Sequence, residues 1–349
     1  MRVVVVGPGA VGSFLAGTLA LGGAEVILAG RGSAEPEPSE IAIHGPGRDH
    51  AQGRLRRAGI GAAIRSEPPD AVVLAVRQPD LPTALASIEA WPAVPTVTVQ
   101  NGIGAEALVA EARPNAPLLA ASLTASVALG PDGAVRRLTR GGIGLSAVAA
   151  NARPTAHALA AAFDRGALRV RVYRDAAAMK WSKLLANLVG NATSALLDLD
   201  PADVYADPRL FPIERGQLRE ALAVIRALDL RPVALPGADA RLLALAVRLP
   251  PLLAHPILAR AVAGGRGGKS PSLRLALGRA GDEVGETEVR WLNGAVARDG
   301  RRLGIPTPVN AALADLVEEA AADPERRSTL RGDPDALLRA IRAGSSYGP

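Results

Sequence analysis

The chain opens on RVVVV (2–6), runs directly into GPGAVG (7–12), and continues as an Ala/Leu-rich stretch to about Leu21. A short β-branched run ended by glycine reads as a parallel strand buried on both faces. A second strand pattern at 25–29 completes a strand–helix–strand unit of ordinary length. Strand patterns recur at 71–76 (AVVLAV) and 96–100 (TVTVQ), with helical patterns near 81–89 and 104–112. Strand alternating with helix commits this part of the chain to a doubly wound α/β sheet.

From 118 to 148 the pattern changes: ASLTASVAL, GAVRRLTR and GIGLSAV read as consecutive strands, with a PDG turn between the first two. A helix near 155–163 and a strand at 168–173 follow. Beyond Arg174 the strand signals fade, and long helical patterns run at about 176–197, 212–227, 238–249, 284–303 and 308–322. A glycine-rich break lies at 263–272, the tail from Asp333 reads as a short last helix, and the final GSSYGP reads as disordered. At 349 residues and 48% apolar content the chain exceeds one ordinary core. The expected architecture is an N-terminal Rossmann-type doubly wound domain over 1–173 and a mostly α-helical C-terminal domain over 174–349.

GPGAVG has the G-x-G-x-x-G spacing of a dinucleotide-binding turn, and here it follows a strand and opens a helix. Gly7 permits the tight turn, Gly9 lets backbone approach a pyrophosphate, and Gly12 permits close helix–strand packing; Ala10 and Val11 begin the helix whose N-terminus faces the phosphate charge. An NAD site ordinarily has a carboxylate at the end of the second strand. This chain has Ala29, Gly30 and Arg31 there, and an arginine fork suits a 2′-phosphate, so NADPH is the expected cofactor.

Of the 40 basic residues, three are lysine (Lys180, Lys183 and Lys269), leaving 37 arginines. Lysine can be tuned to release a proton and arginine cannot. Lys183, Asn187 and Asn191 stand four apart in KWSKLLANLVGNATSALL, so a continuous helix sets them on one stripe; Lys180 lies on the same stripe one turn earlier. Asparagine is a poor mid-helix residue, so this stripe is either a polar site facing a ligand or a solvated face. Asn101, in QNG after the 96–100 strand, is either a turn residue or a group at the carboxyl edge of the sheet, where doubly wound folds bind ligands. Glu288 begins a helical pattern, TEVRWLNG, and has a structural excuse as a helix-start carboxylate.

Composition excludes several classes. The net charge of +6 is spread over scattered arginines and aromatics are only 3%, which disfavours a nucleic-acid surface. No apolar run is long enough to span a membrane, the strand at Arg2 leaves no room for a signal peptide, and the absence of cysteine suits a cytoplasmic enzyme. The four histidines have no metal-ligand spacing, and no metal is expected.

Taken in order, GPGAVG, QNGIG (100–104), KWSKLLANLVGNATSAL (180–196), TEVRWLNG (287–294) and LGIPTPVN (303–310) resemble the signatures of the ketopantoate reductase family over nearly the whole chain. The resemblance implies a Rossmann domain and a helical domain with the active site in the cleft between them. It implies NADPH-dependent reduction of 2-dehydropantoate to (R)-pantoate, on the route to pantothenate and coenzyme A. By motif position Lys183 resembles the catalytic lysine that donates the proton, and Glu288 the carboxylate that engages the substrate hydroxyl and helps set the lysine. Asn187, Asn191 and Ser272 (in KSPSLR) resemble substrate-binding residues. Asn101 resembles an asparagine at the nicotinamide end, and Thr124 (in SLTAS) a threonine near the cofactor. Arg77 stands where the family usually has a lysine near the cofactor, and Leu275 and Ala276 stand where an Asp tends to follow the serine. These departures bear on the substrate, so a reductase of another 2-keto acid or imine on the same architecture stays open, as does a non-catalytic NADPH-sensing protein. Many relatives are homodimers; no sequence feature decides the assembly of this chain.

Overall fold

The computed structural model describes residues 1–45, 50–265, 271–278 and 287–344. The chain forms two compact units: unit 1 is Met1–Lys180 with Leu235–Ala238, and unit 2 is Trp181–Ala234 with Asp239–Pro349.

In unit 1 the strands are β1 Arg2–Val6, β2 Glu25–Gly30, β3 Glu37–His44, β4 His50–Gly59, β5 Ala71–Leu74, β6 Thr96–Thr98, β7 Leu118–Leu123, β8 Val127–Leu129, β9 Val135–Arg137, β10 Ile143–Ala147 and β11 Val170–Tyr173. They form one sheet in the order β11-β10-β7-β6-β5-β1-β2-β4-β3-β9-β8. The central strands from β7 to β4 are all parallel. The chain moves from β1 outward through β2 and β4, then returns to the other side of β1 with β5. The carboxyl ends of β1 and β5 therefore flank a switch point, where open α/β sheets bind ligands. The helices are α1 Ala10–Leu21, α2 Ile60–Arg65, α3 Leu81–Ser87, α4 Ala105–Ala112 and α5 Arg153–Arg165.

Strand β1 shows why a continuous apolar run was needed. Val3 and Val5 pack with Phe14, Leu15, Leu19 and Phe163 on one face of the sheet. Val4 and Val6 pack with Leu81, Leu85, Trp91 and Val109 on the other. Each such side chain contributes about 1.5–3 kcal/mol when fully buried.

Three features depart from the sequence reading. Residues 37–59, to which no element was assigned, form the β3–β4 hairpin, with β4 parallel to β2. This hairpin alternates buried Ile41, Ile43 and Leu55 with exposed residues, and an added Cβ at Gly53 meets the Gly17 carbonyl oxygen of α1 at 2.8 Å. Its apolar positions are too few for a pattern and become meaningful only against α1. Next, the run from 118 to 148 is not a simple meander. β7 pairs with β10, while the β8–β9 hairpin joins the far edge beside β3. Finally, β5 and β6 stop at Leu74 and Thr98, short of 76 and 100. The Gln100 amide takes the Leu74 and Val76 carbonyls, at 2.7 and 3.1 Å, and so ends the ladder.

Helix α6 Ala176–Leu188 begins in unit 1, and the division between units falls within it. It is followed by α7 Asn191–Leu197, α8 Pro201–Ala206, α9 Phe211–Ala227, the short strands β12 Ala234–Leu235 and β13 Ala238–Asp239, α10 Ala240–Arg248, α11 Pro251–Gly265 and α12 Ser272–Gly278. A 3-10 turn, Glu288–Trp291, leads to α13 Asn293–Leu303, α14 Pro308–Ala322, α15 Pro324–Leu330 and α16 Pro334–Gly344. No described helix is long and apolar enough to cross a membrane.

Two expected helices are broken. The 176–197 pattern is interrupted at Gly190, which adopts φ 60°, ψ 18°. The 284–303 pattern is interrupted at Leu292, with φ −105°, ψ −100°, and its first residues, 284–286, lie outside the described residues. So do 266–270 of the glycine-rich break and 345–349 of the tail.

Candidate active site

In unit 1 every candidate follows the carboxyl end of a central parallel strand: Gly7 to Gly12 after β1, Arg31 after β2, Arg77 after β5, Asn101 after β6 and Thr124 after β7. Gly7 has φ +107°, and a Cβ there would lie 2.8 Å from the Ala75 carbonyl oxygen, so the β1 and β5 loops touch at this point. A Cβ at Gly12 would lie 1.9 Å from the Gly7 carbonyl oxygen, so only glycine allows α1 to start this close to β1. A Cβ at Gly9 would meet nothing within 4 Å. That open space lies at the N-cap of α1, which has no side-chain cap and no acidic residue in its first turn. Backbone N–H groups facing open space at a helix N-terminus suit a phosphate group. These features fit a dinucleotide, with Ala10 and Val11, both half-buried, at the mouth of the turn.

Arg31 is 97% exposed, with Nη2 3.8 Å from Asp80 Oδ1, and Arg77 Nε donates to Asp80 Oδ2 at 3.1 Å. Two arginines thus share one carboxylate at the surface. Exposed pairs of this kind are weak, so an anionic ligand can recruit both forks at little cost. Asp80 was not singled out from sequence; its signal is the RQPD turn, in which Pro79 lies in a short 3-10 helix, Gln78–Asp80. Asn101 is half-buried, between Gln100 and Gly102 (φ +83°). The Thr124 hydroxyl is engaged within unit 1: it accepts from Gly142 N at 2.8 Å and contacts the Gly142 and Pro236 carbonyls.

In unit 2, Lys183 and Asn187 share a face of α6, and Lys183 Nζ donates to Asn187 Oδ1 at 2.8 Å. Leu184, Leu185 and Leu188 are buried around them, which keeps the half-buried lysine on one side of a packed helix. Asn191 does not continue that stripe, because Gly190 starts a new helix. Its side chain turns to α12: Oδ1 accepts from Leu273 N at 3.2 Å, and Nδ2 lies 3.5 Å from Ser272 Oγ. Asn191 therefore lies off the Lys183–Asn187 stripe and organises the segment that presents the exposed Ser272.

The break has its own support, which sequence reading missed. Glu214 of α9 is fully buried; its carboxylate accepts from Gly190 N at 2.8 Å and from Thr193 Oγ1 at 2.6 Å. A second buried set explains two motif asparagines. Asn293 Nδ2 donates to Gln217 Oε1 and Asn310 Oδ1, at 2.9 and 3.0 Å. Asn310 Nδ2 in turn donates to Glu220 Oε2 at 2.7 Å, and Glu220 also accepts from the backbone N–H groups of Val309 and Asn310. Burial raises the Glu220 carboxyl above the usual carboxylate range, against the pull of these donors. The set ties α9, α13 and α14 together directly behind the turn that bears the half-buried Glu288. Nothing in the sequence separated these structural asparagines from the candidate ligands, since all are polar residues in apolar helices.

Known proteins resemble the chain over both units. The family described as "Ketopantoate reductase PanE/ApbA" matches residues 3–150, and "Ketopantoate reductase PanE/ApbA C terminal" matches residues 175–321. The 2-dehydropantoate 2-reductase of Halobacterium salinarum is 29% identical over 327 residues, covering 93% of this chain and 100% of that protein. Among solved structures, the family ketopantoate reductase of Ralstonia eutropha JMP134 superposes with a TM-score of 0.73 at 23% identity, over 92% of this chain and 99% of that one. D-mandelate dehydrogenase, solved with NADH and anilino(oxo)acetate, has the same TM-score at 18% identity, over 92% and 98%. With both parts of the family matched in order over most of its length, the chain belongs to the ketopantoate reductase family, oxidoreductases that act on CH–OH groups.

Proposed function

We propose that the chain reduces 2-dehydropantoate to (R)-pantoate with NADPH. The observation that carries this reading is Lys183: a half-buried ammonium held by Asn187 on a helix whose neighbouring leucines are buried. A nicotinamide bound by unit 1 would supply the hydride. Lys183 polarises the keto oxygen and donates the proton to it as the alcohol forms. Glu288 engages the substrate hydroxyl and helps set the lysine, its carboxylate favouring the charged ammonium. Asn187 orients the ammonium, and Ser272, steadied by Asn191, takes the substrate carboxylate. In unit 1 the Gly7 to Gly12 turn would hold the pyrophosphate, Asn101 the nicotinamide end, and Arg31 and Arg77, now against Asp80, the 2′-phosphate. The absence of a carboxylate at the end of β2 supports NADPH over NADH.

A second reading has its own support. D-mandelate dehydrogenase matches the fold as well as the ketopantoate reductase does, and Leu275 and Ala276 depart from the family pattern after Ser272. The same groups would then reduce another 2-keto acid. The deciding experiment is steady-state oxidation of NADPH and of NADH with 2-dehydropantoate, 2-oxoisovalerate, pyruvate and an aryl 2-keto acid. Turnover confined to 2-dehydropantoate supports the first reading, and preference for another acid replaces it with the second. Lys183→Ala should lower turnover by about 10²–10⁴-fold, the span of a general acid, with NADPH affinity kept. Arg31→Ala should weaken NADPH by about 10–100-fold, the worth of a charge-assisted hydrogen bond, and leave NADH nearly unchanged.

A further inference from the structure

Lys180 lies one turn before Lys183 on α6, in the part of the helix that belongs to unit 1. Its side chain is 4% exposed, with Nζ 3.0 Å from Glu106 Oε1. The same ammonium donates to the Gln100 carbonyl oxygen at 2.7 Å. Glu106 lies in the first turn of α4, and its Oε1 also accepts from Thr98 Oγ1 at 2.8 Å. One buried ion pair thus joins α6 to the end of β6, to the start of α4 and to the loop between them.

An ammonium so held has two of its three donors committed to acceptors within unit 1. It is well built as a strut. Gln100 is gripped at two ends, by Lys180 at its carbonyl and, through its side-chain amide, by the carbonyls of Leu74 at the end of β5 and Val76 beyond it. That leaves one orientation for the peptide joining Gln100 to Asn101, and Gly102 and Gly104, both at positive φ, turn the chain into α4. A buried ion pair adds little net stability over a packed apolar pair, so its consequence is sought in geometry rather than in melting temperature.

We propose that Lys180 is a positioning residue: paired with Glu106, it holds the Gln100 carbonyl and so fixes Asn101 and its loop at the carboxyl edge of β6. This rests on the reading above, in which that edge receives the nicotinamide end of the cofactor. A misplacement of about 1 Å at a reacting group can cost about 10²-fold in rate. The adenine end, at the β1 and β2 loops, should not feel the change.

The test uses the full-length chain as Lys180→Met and as the double variant Lys180→Met with Glu106→Gln, which removes the stranded carboxylate. Measured quantities are Tm, kcat and KM, the isotope effect with 4-deuterated NADPH, and the affinities of NADPH and of 2′,5′-ADP. The expected result is a kcat lower by about 10²-fold with a larger isotope effect, NADPH about tenfold weaker and 2′,5′-ADP unchanged. In the double variant Tm recovers and kcat does not. Recovery of kcat together with Tm overturns the proposal and makes the pair merely structural. So does parental kcat in Lys180→Met. Loss of all turnover in Lys180→Met, with turnover kept in Lys183→Ala, overturns it in favour of Lys180 as the proton donor. If the parent chain reduces no 2-keto acid, the functional reading fails, and the contrast between NADPH and 2′,5′-ADP affinities still tests the strut.

Discussion

Two breaks marked by glycine shape the candidate site, and they are held in different ways. In unit 1 the turn from Gly7 to Gly12 rests chiefly on a short-range contact, the Gly12 backbone on the Gly7 carbonyl five positions away, with Ala75 of the β5 loop against Gly7. In unit 2 the kink at Gly190 is enforced by Glu214, 24 residues further along, whose buried carboxylate takes the Gly190 N–H and the Thr193 hydroxyl. The first is a stiff local device that leaves open space at Gly9. The second depends on how two helices pack, and it decides where Asn191 and Ser272 fall relative to the Lys183 helix.

The contrast can be tested from its strong end. Glu214→Ala leaves two buried donors unsatisfied, each worth about 1–3 kcal/mol. Unit 2 should melt lower by about 2–4 °C per kcal/mol, and turnover should fall while NADPH binding persists. Unchanged melting and turnover would show that Gly190 breaks the helix unaided, and the contrast would collapse. Gly190→Ala should cost less, about 1–2 kcal/mol for a left-handed alanine, plus a close Cβ contact with Pro201 at 3.0 Å. If calorimetry finds it more damaging than Glu214→Ala, the local residue outweighs its distant partner. Gly9→Ala should be mildest for stability, within about 1 kcal/mol of the parent, because its φ of −74° suits alanine and the space is open. Its effect belongs to binding, with NADPH weaker by about tenfold in a titration, or one lost charge-assisted hydrogen bond. An unaltered affinity would remove the pyrophosphate from this turn.

How far the site could be read from sequence follows the same division. Gly7, Gly9 and Gly12 were legible because a strand, a turn and a helix N-terminus lie within a dozen residues. Lys183 and Asn187 were legible because one helical turn separates them, and the structure pairs them. Asn191 was misplaced because periodicity assumes that a helix continues until a residue forbids it, and glycine does not forbid it. Glu214, Gln217 and Glu220 were not singled out: a carboxylate or amide on an amphipathic helix looks like solvent-facing polarity until its neighbours are known. The β3–β4 hairpin went unassigned for the converse reason, since its few apolar residues gain meaning only against Gly17 and α1.

By itself the sequence determined the alternation of strand and helix, the two-sided burial of β1, the helical second half and the one-turn spacing of Lys183 and Asn187. These rest on interactions between residues a turn or a strand pair apart, which composition and spacing record directly. Only the tertiary structure decided that Arg31 and Arg77 meet at Asp80, that Lys180 is committed to Glu106 and Gln100, and that the helix bearing Lys183 stops before Asn191. Each of these depends on groups 24 to 80 residues apart or on a backbone kink they stabilise, and a buried polar group acquires its role from the partner that replaces water.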